Sequence, residues 1–320
     1  MRIPAIVAMA ALLGVASGPS YAQRLEVRLV ETVTLTAPQV LTGDKSGKPA
    51  TLAGELRIPK GGSDRIPAVI LVHGASGVVP AIVDRWVPVI NNLGIATFVI
   101  DVYSGRDIHN NPAEQAQVSA LAMMVDSYRA LDMLAKHERI DPKRVAIMGF
   151  SKGSVAALYS GVERFRKAYA GEDLEFAAHI GMYSVCGTTY RGDDKMTGRP
   201  IRLFHGLADD WVPIEPCRQY VARLKNASVD VMLTEYPDAT HGYDSTTLKA
   251  ELLQLPQVST GRNCRLAEGD GGAILNTATG QPFTTSDACM EKGVAVAYNE
   301  AATTATIAAV KEFLVATLKP

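Results

Sequence analysis

The chain is short of several things at once, and each shortage removes a class of function. Lys and Arg number 32 against 33 Asp and Glu, so no basic field draws it to nucleic acid or to an anionic membrane. Only four cysteines occur. None forms a C-x-x-C pair or stands at ligand spacing from a histidine, which argues against a zinc site. The apolar run near the start, residues 3–16, falls short of the roughly 18 residues a membrane-crossing helix needs. No internal repeat and no Pro/Gly/Ser-rich linker divides the 320 residues, and that length buries a substantial core in a single large domain.

Residues 1–22 have the make-up of a signal peptide. Arg2 is the positive start, residues 3–16 the apolar middle, and Ser20-Tyr21-Ala22 a small-x-small cleavage site before Gln23. The segment holds no cysteine to carry a lipid and no twin arginine. The expectation is a periplasmic or secreted protein, cleaved near Ala22, with no stable membrane insertion after processing. Cys186, Cys217, Cys264 and Cys289 all lie in the second half of the chain. An even count in an oxidising compartment favours two disulfides. Of the three possible connectivities we prefer Cys186–Cys217 with Cys264–Cys289, each loop closure stabilising by about 3–4 kcal/mol.

Residues 25–36 and 51–58 alternate and are rich in β-branched side chains, and Gly43-Asp44-Lys45-Ser46-Gly47 lies between them. They predict an antiparallel hairpin at a sheet edge. From Ala68-Val69-Ile70-Leu71-Val72 onward the strands are continuously apolar, as strands covered on both faces are. Residues 96–101, 145–149, 177–183, 201–205 and 229–236 continue the series. Helix periodicity fills the gaps at residues 81–91, 113–137, 152–169 and 215–224, with Asp141-Pro142 expected to close the second of these helices. Strand–helix alternation of this kind builds a mostly parallel sheet with helices on both faces. Residues 253–292, rich in Gly, Thr, Asp and Asn, break the rhythm before a last alanine-rich helix at 295–318. The expected organisation is one α/β domain over residues 23–320 with a disulfide-stapled insertion at about 253–292, which would overhang the site as a partial lid.

The centre of the pattern is Gly149-Phe150-Ser151-Lys152-Gly153, a G-x-S-x-G elbow between a buried strand and a helix start. In open α/β sheets functional groups collect beyond the carboxyl ends of the strands. Those ends carry His73-Gly74-Ala75, Ser151, His205-Gly206-Leu207-Ala208-Asp209-Asp210 and Ala239-Thr240-His241-Gly242 in turn. Serine, acid, histidine is the chain order of an α/β-hydrolase triad. A serine hydroxyl needs a base to take its proton during attack, and an imidazole, His241, suits that task. Asp209 would hold the imidazole in one tautomer. It is preferred to Asp210 because it stands three residues before Val212-Pro213. The backbone N–H groups of Ala75 and Lys152 would form the oxyanion hole. His73 and His205 read as structural, and the Lys152 side chain as solvated. Trp211, Tyr243 and Trp86 are candidate walls of an acyl or aryl pocket.

Taken together, Val-His-Gly-Ala-Ser-Gly, Asp-Pro-Lys-Arg-Val-Ala-Ile-Met-Gly-Phe-Ser-Lys-Gly, His-Gly-Leu-Ala-Asp-Asp-Trp-Val-Pro and Ala-Thr-His-Gly-Tyr resemble the dienelactone hydrolase family of α/β-hydrolases, from about residue 53 to 248. The resemblance implies the α/β-hydrolase fold, hydrolysis of small-molecule carboxylic esters or lactones without metal or organic cofactor, and a triad of Ser151, Asp209 and His241. The namesake enzymes carry a cysteine nucleophile at the position of Ser151 and an acidic residue at that of Gly74. Two other readings are compatible with the sequence: an acyltransferase using the same triad, and a binding protein on a hydrolase scaffold.

Overall fold

The computed structural model describes residues 24–61, 64–109 and 116–319; the expected signal peptide, residues 1–22, lies outside them. β1 (Arg24–Thr34) and β2 (Lys48–Ile58) form the expected hairpin, paired antiparallel from Arg24 opposite Ile58 to Thr34 opposite Lys48. The connection holds a short helix that periodicity does not reveal, α1 (Ala37–Thr42). Thr36 and Gln39 cap it reciprocally and Gly43 ends it at φ 78°. β3 (Ile66–Val72) follows, then a π-helical turn (Ala81–Trp86) running into α2 (Val87–Asn91), and β4 (Ala96–Asp101). α3 (Ala120–Ala135) begins later than expected, where the Ser119 hydroxyl accepts the N–H of Ala122 at 3.0 Å.

β5 (Ile140–Phe150) contains Asp141 and Pro142, which were expected to close α3. Pro142, without an N–H, falls where the pairing with β3 shifts register between Ile66–Ile140 and Ala68–Val145, so the ladder loses nothing there. The helix expected over 152–169 is two helices, α4 (Lys152–Tyr159) and α5 (Glu163–Tyr169). Between them Gly161 packs closely against the Met196 side chain and the His179 ring. Then come β6 (His179–Met182), β7 (Thr188–Thr189), β8 (Ile201–Gly206), α6 (Glu215–Asn226) and β9 (Val231–Tyr236). The expected insertion contributes β10 (Leu253–Thr260), β11 (Leu266–Glu268) and β12 (Ile274–Asn276); β13 (Glu291–Val296) runs beyond it to where the last helix was expected to begin, and α7 (Glu300–Leu318) ends the chain.

The main sheet has the strand order β1-β2-β4-β3-β5-β6-β8-β9, with β3 to β9 parallel and β2 running against its neighbours. This is the expected α/β-hydrolase architecture. Because side chains alternate along a strand, Ile70, Val72 and Ile147 face Leu121, Tyr128, Val155 and Tyr220 of α3, α4 and α6. Val69, Leu71 and Met148 face Trp86, Ile90, Val310 and Leu314 of the opposite layer, the π-helical turn, α2 and α7. α7 is long and apolar enough to cross a bilayer. Its buried residues Ala302, Thr306, Val310, Phe313 and Leu314 recur at three- and four-residue intervals, the spacing of a helix docked on a sheet.

Both disulfides have the preferred connectivity. Cys186–Cys217 ties the loop after β6 to α6, and Cys264–Cys289 closes the insertion. A buried ion pair fixes the loop after β4. Both Nη atoms of Arg106 lie 2.8 Å from the Asp126 carboxylate of α3, and the Thr32 hydroxyl of β1 donates to the same carboxylate at 2.8 Å.

His179, buried under α4, has Nδ1 2.8 Å from the carbonyl of Ala157, and burial pushes its pKa down to about 4. The unfolded chain takes up this proton near pH 6.5, so the folded state loses stability as the pH falls from 6.5 towards 4. We predict a loss of about 3 kcal/mol over that interval from this group, and a shallower slope in His179→Gln. Urea unfolding at pH 7, 6 and 5 checks it; identical slopes in the two proteins would contradict it.

Candidate active site

Ser151 stands between β5 and α4 at φ 51° and ψ −118°, a conformation that costs an L-residue about 1–3 kcal/mol and turns strand into helix within one residue. The glycines on either side make the turn possible. A Cβ on Gly149 would lie 2.1 Å from the carbonyl oxygen of Gly153, and one on Gly153 would lie 2.3 Å from that of Val72 and 2.4 Å from that of His73. The Ser151 N–H donates to Met182 O at 3.0 Å, tying the turn to β6.

His241, in the loop after β9, meets the serine hydroxyl. Its Nε2 is 2.8 Å from Ser151 Oγ and its Nδ1 is 2.8 Å from Asp209 Oδ2. The other oxygen of Asp209 accepts the N–H groups of Trp211 at 3.1 Å and Val212 at 2.8 Å. Burial alone would raise the pKa of Asp209, but the facing imidazoles of His241 and His205 and their hydrogen bonds outweigh it. The carboxylate is held well below its usual range. Asp210 turns the other way: its Oδ1 accepts the N–H of Ala295, and its backbone oxygen accepts from Arg262 of the insertion at 2.9 Å.

The loop after β3 lies beside the serine. A Cβ on Gly74 would sit 3.3 Å from Ser151 Cβ and 3.2 Å from Phe150 O, a tight fit against the elbow. His73 is buried as a defined neutral tautomer, Nδ1–H donating to Gly74 O at 2.7 Å and Nε2 accepting the N–H of Val102 at 3.2 Å. Burial lowers its pKa. His205 is likewise buried, Nε2 donating to Val212 O at 2.8 Å. Lys152 is the first residue of α4, so its backbone N–H is one of the helix-start donors with no intrahelical acceptor. Its side chain corrects the expectation of a solvated ammonium. Nζ is 3.3 Å from Tyr103 Oη and lies over that ring, and burial lowers its pKa to about 8.

Of the three aromatic residues expected to wall a pocket, one keeps a position near the histidine. Trp211 is partly exposed, with its ring 5.0 Å from that of His241. It also borders a crevice of about 180 Å³ between the acid loop and the insertion. Trp86 and Tyr243 have no exposed surface and belong to the core. The Trp86 indole donates to buried Asp244 at 2.6 Å, and the Tyr243 hydroxyl pairs with Thr306 at 2.7 Å. The buried Tyr183 also packs beside the histidine, its ring edge-on to His241 at 4.8 Å. The insertion reaches the site from the side, the Thr260 hydroxyl donating to Trp211 O at 2.6 Å. The His241 loop is held by the segment before α7: the N–H of Ala297 donates to the Thr240 hydroxyl at 2.7 Å, which donates to Ala297 O at 3.1 Å.

Residues 52–251 match the family model described as the dienelactone hydrolase family. No curated protein sequence matches the chain. Among solved structures, a dienelactone hydrolase-like promiscuous phosphotriesterase from metagenomic libraries superposes with a TM-score of 0.59 at 15% identity, covering 92% of this chain and 98% of that one. Esterase 2 of Thermogutta terrifontis, in a form phosphoramylated by tabun, superposes with a TM-score of 0.58 at 18% identity, covering 92% of this chain and 96% of that one.

The elbow geometry makes a quantitative prediction. Gly153→Ala drives a methyl group into two backbone carbonyls that have no free rotation, and should destabilise the fold by about 3 kcal/mol or more. Urea denaturation measures it; a midpoint within error of the parent chain would show that the turn is looser than described.

Proposed function

Since the chain belongs to the dienelactone hydrolase family, a family of hydrolases acting on ester bonds, we propose that Ser151 is its nucleophile, His241 its general base and acid, and Asp209 the group that orients the imidazole. The observation that carries this reading is the unbroken pair of 2.8 Å contacts from carboxylate to imidazole to hydroxyl. The substrate class is a carboxylic ester or lactone.

Ser151 Oγ attacks the carbonyl carbon while its proton passes to His241 Nε2. The carbonyl π electrons move onto oxygen, and the N–H groups of Lys152 and Ala75 donate hydrogen bonds to that oxyanion, with the dipole of α4 assisting. The intermediate collapses, the C–O bond to the alcohol breaks, and His241 returns its proton to the departing alkoxide. Water then attacks the acyl-serine, giving its proton to His241. The acid is released as Ser151 regains that proton. Asp209 stays ionised throughout: His241 Nδ1–H points at it, so the imidazolium forms beside a fixed negative charge. We assign residues 1–22 to an export signal, in keeping with two disulfides in the mature part of the chain.

Ser151→Ala is expected to abolish turnover of a short p-nitrophenyl ester. Asp209→Asn, which cannot hold the same tautomer, should lower kcat by about 10⁴-fold with the fold intact. Steady-state kinetics with a thermal melt of each variant tests both, and turnover persisting in Ser151→Ala would refute the assignment. Product analysis with an added alcohol distinguishes this hydrolase from an acyltransferase, which would pass the acyl group to the alcohol in preference to water.

A further inference from the structure

β1 closes one end of the eight-stranded sheet, and among the described residues no strand pairs with its outer edge. A row of unpaired N–H and C=O groups is a template for another chain, and natural edge strands are usually blunted by lysine, proline, a bulge or a cover. β1 has none of the first three, and of its charged side chains Arg24, Glu26 and Arg28 alternate onto one face, leaving Glu31 on the other. Its sequence, RLEVRLVETVT, holds no Lys, Pro or Gly and pairs with β2 without a register shift. One of its faces is occupied: Val30 and Thr32 are buried, and the Glu26 carboxylate lies 3.2 Å from His137 Nε2. The other is open and apolar, with Leu25, Val27 and Leu29 exposed by 56%, 69% and 62%. Val27 also borders a crevice of about 250 Å³ that it shares with Ala53, Val78, Val83 and Val99.

We infer that this edge docks a second copy of the chain, the two β1 strands pairing antiparallel about a twofold axis through Val27 to join the two sheets into one. The strand's own sequence specifies the occupant. Centred on Val27, the pairing sets Leu25 opposite Leu29 of the second copy and Val27 opposite Val27, an unbroken apolar ladder on the open face. On the other face the same register sets Glu26 opposite Arg28 and Arg28 opposite Glu26. Directly opposed residues share a face in an antiparallel pair, and opposite charges there are favourable while like charges are not.

Neighbouring symmetric registers fail that criterion. Centring on Glu26 opposes Glu26 to Glu26 and Arg24 to Arg28, and centring on Arg28 opposes Arg28 to Arg28 and Leu25 to Glu31. A shift by one residue would lay the apolar face of one copy beside the charged face of the other. The Val27 register alone among these opposes no like charges and keeps the open face apolar throughout, with Arg24 opposite Val30 at each end of the pairing. It uses Arg24 to Val30 of each copy and lies on a different part of the sheet from the Ser151 turn at the end of β5.

Sedimentation velocity of the purified protein, expressed from its full sequence, over a range of concentrations tests the inference. A reversible monomer–dimer equilibrium is expected. Val27→Lys, which opposes two ammonium groups on the axis, should weaken it by roughly tenfold or more and leave ester turnover unchanged. Cysteine substitution reads the register independently of affinity. Val27→Cys should cross-link to itself under mild oxidation, Leu25→Cys alone should not, and Leu25→Cys with Leu29→Cys should. A monomer at every concentration, equal cross-linking at all these positions, or a monomer that floats with phosphatidylcholine vesicles through Leu25, Val27 and Leu29 would each overturn the proposal.

Discussion

A strand that becomes a helix at a single residue sets the terms for everything around it. At Ser151 the backbone takes a φ of 51°, and the helix that follows runs so close to β3 and β5 that no side chain fits at Gly149 or Gly153. The apolar face that α4 buries against the sheet offsets this local strain. Val155, Ala156, Ala157 and Leu158 are all buried, and each buried methylene contributes about 0.8 kcal/mol. The proposed nucleophile is thus held out of both elements by packing on either side of it. Its backbone is set by the core, and its hydroxyl meets the imidazole of His241 at 2.8 Å.

The groups that meet Ser151 are held the same way, by elements remote in sequence. The Thr240–Ala297 pair of hydrogen bonds ties the histidine loop to the approach of α7, and Trp86 of the π-helical turn donates to Asp244 three residues beyond His241. The acid loop is clamped from two sides: Asp209 takes the N–H groups of its own turn, while Asp210 and Trp211 accept from the insertion. Adjacent acidic residues have therefore divided two tasks between them. One faces the imidazole and the other fixes the insertion. The disulfides reinforce this arrangement, since Cys186 and Cys264 both border the crevice beside Trp211.

The parts of this arrangement that a linear reading reached are those written in local pattern. Buried strands show as apolar runs, and Ser151, Asp209 and His241 each stand just past such a run, beside glycine or a short loop signature. The condition on Gly149 is equally local, set by Gly153 four residues on, whereas that on Gly153 comes from Val72 and His73 of the neighbouring strand end. Helix ends were less legible. Ser119 starts α3 well inside the periodic stretch, and Pro142 sits harmlessly at a register shift that only the partner strand defines. Pairings across long separations left no local trace. Arg106 with Asp126, Trp86 with Asp244 and Thr240 with Ala297 join elements that become neighbours only when the sheet closes. The same blindness explains the aromatic residues. Trp86 and Tyr243 look like pocket walls by type, but whether a large ring faces a cavity or the core depends on what packs over it, and here both lie in one buried apolar cluster with residues of α2 and α7.

The central claim is that one serine, at position 151, is activated through His241, and covalent labelling interrogates it most directly. The protein would be treated with one equivalent of a fluorophosphonate and digested, and its adduct located by peptide mass mapping. The account predicts a single adduct on the peptide carrying Ser151, formed orders of magnitude more slowly in a natively folded His241→Gln variant. An adduct on a different serine, or labelling of Ser151 at an undiminished rate without the imidazole, would contradict it.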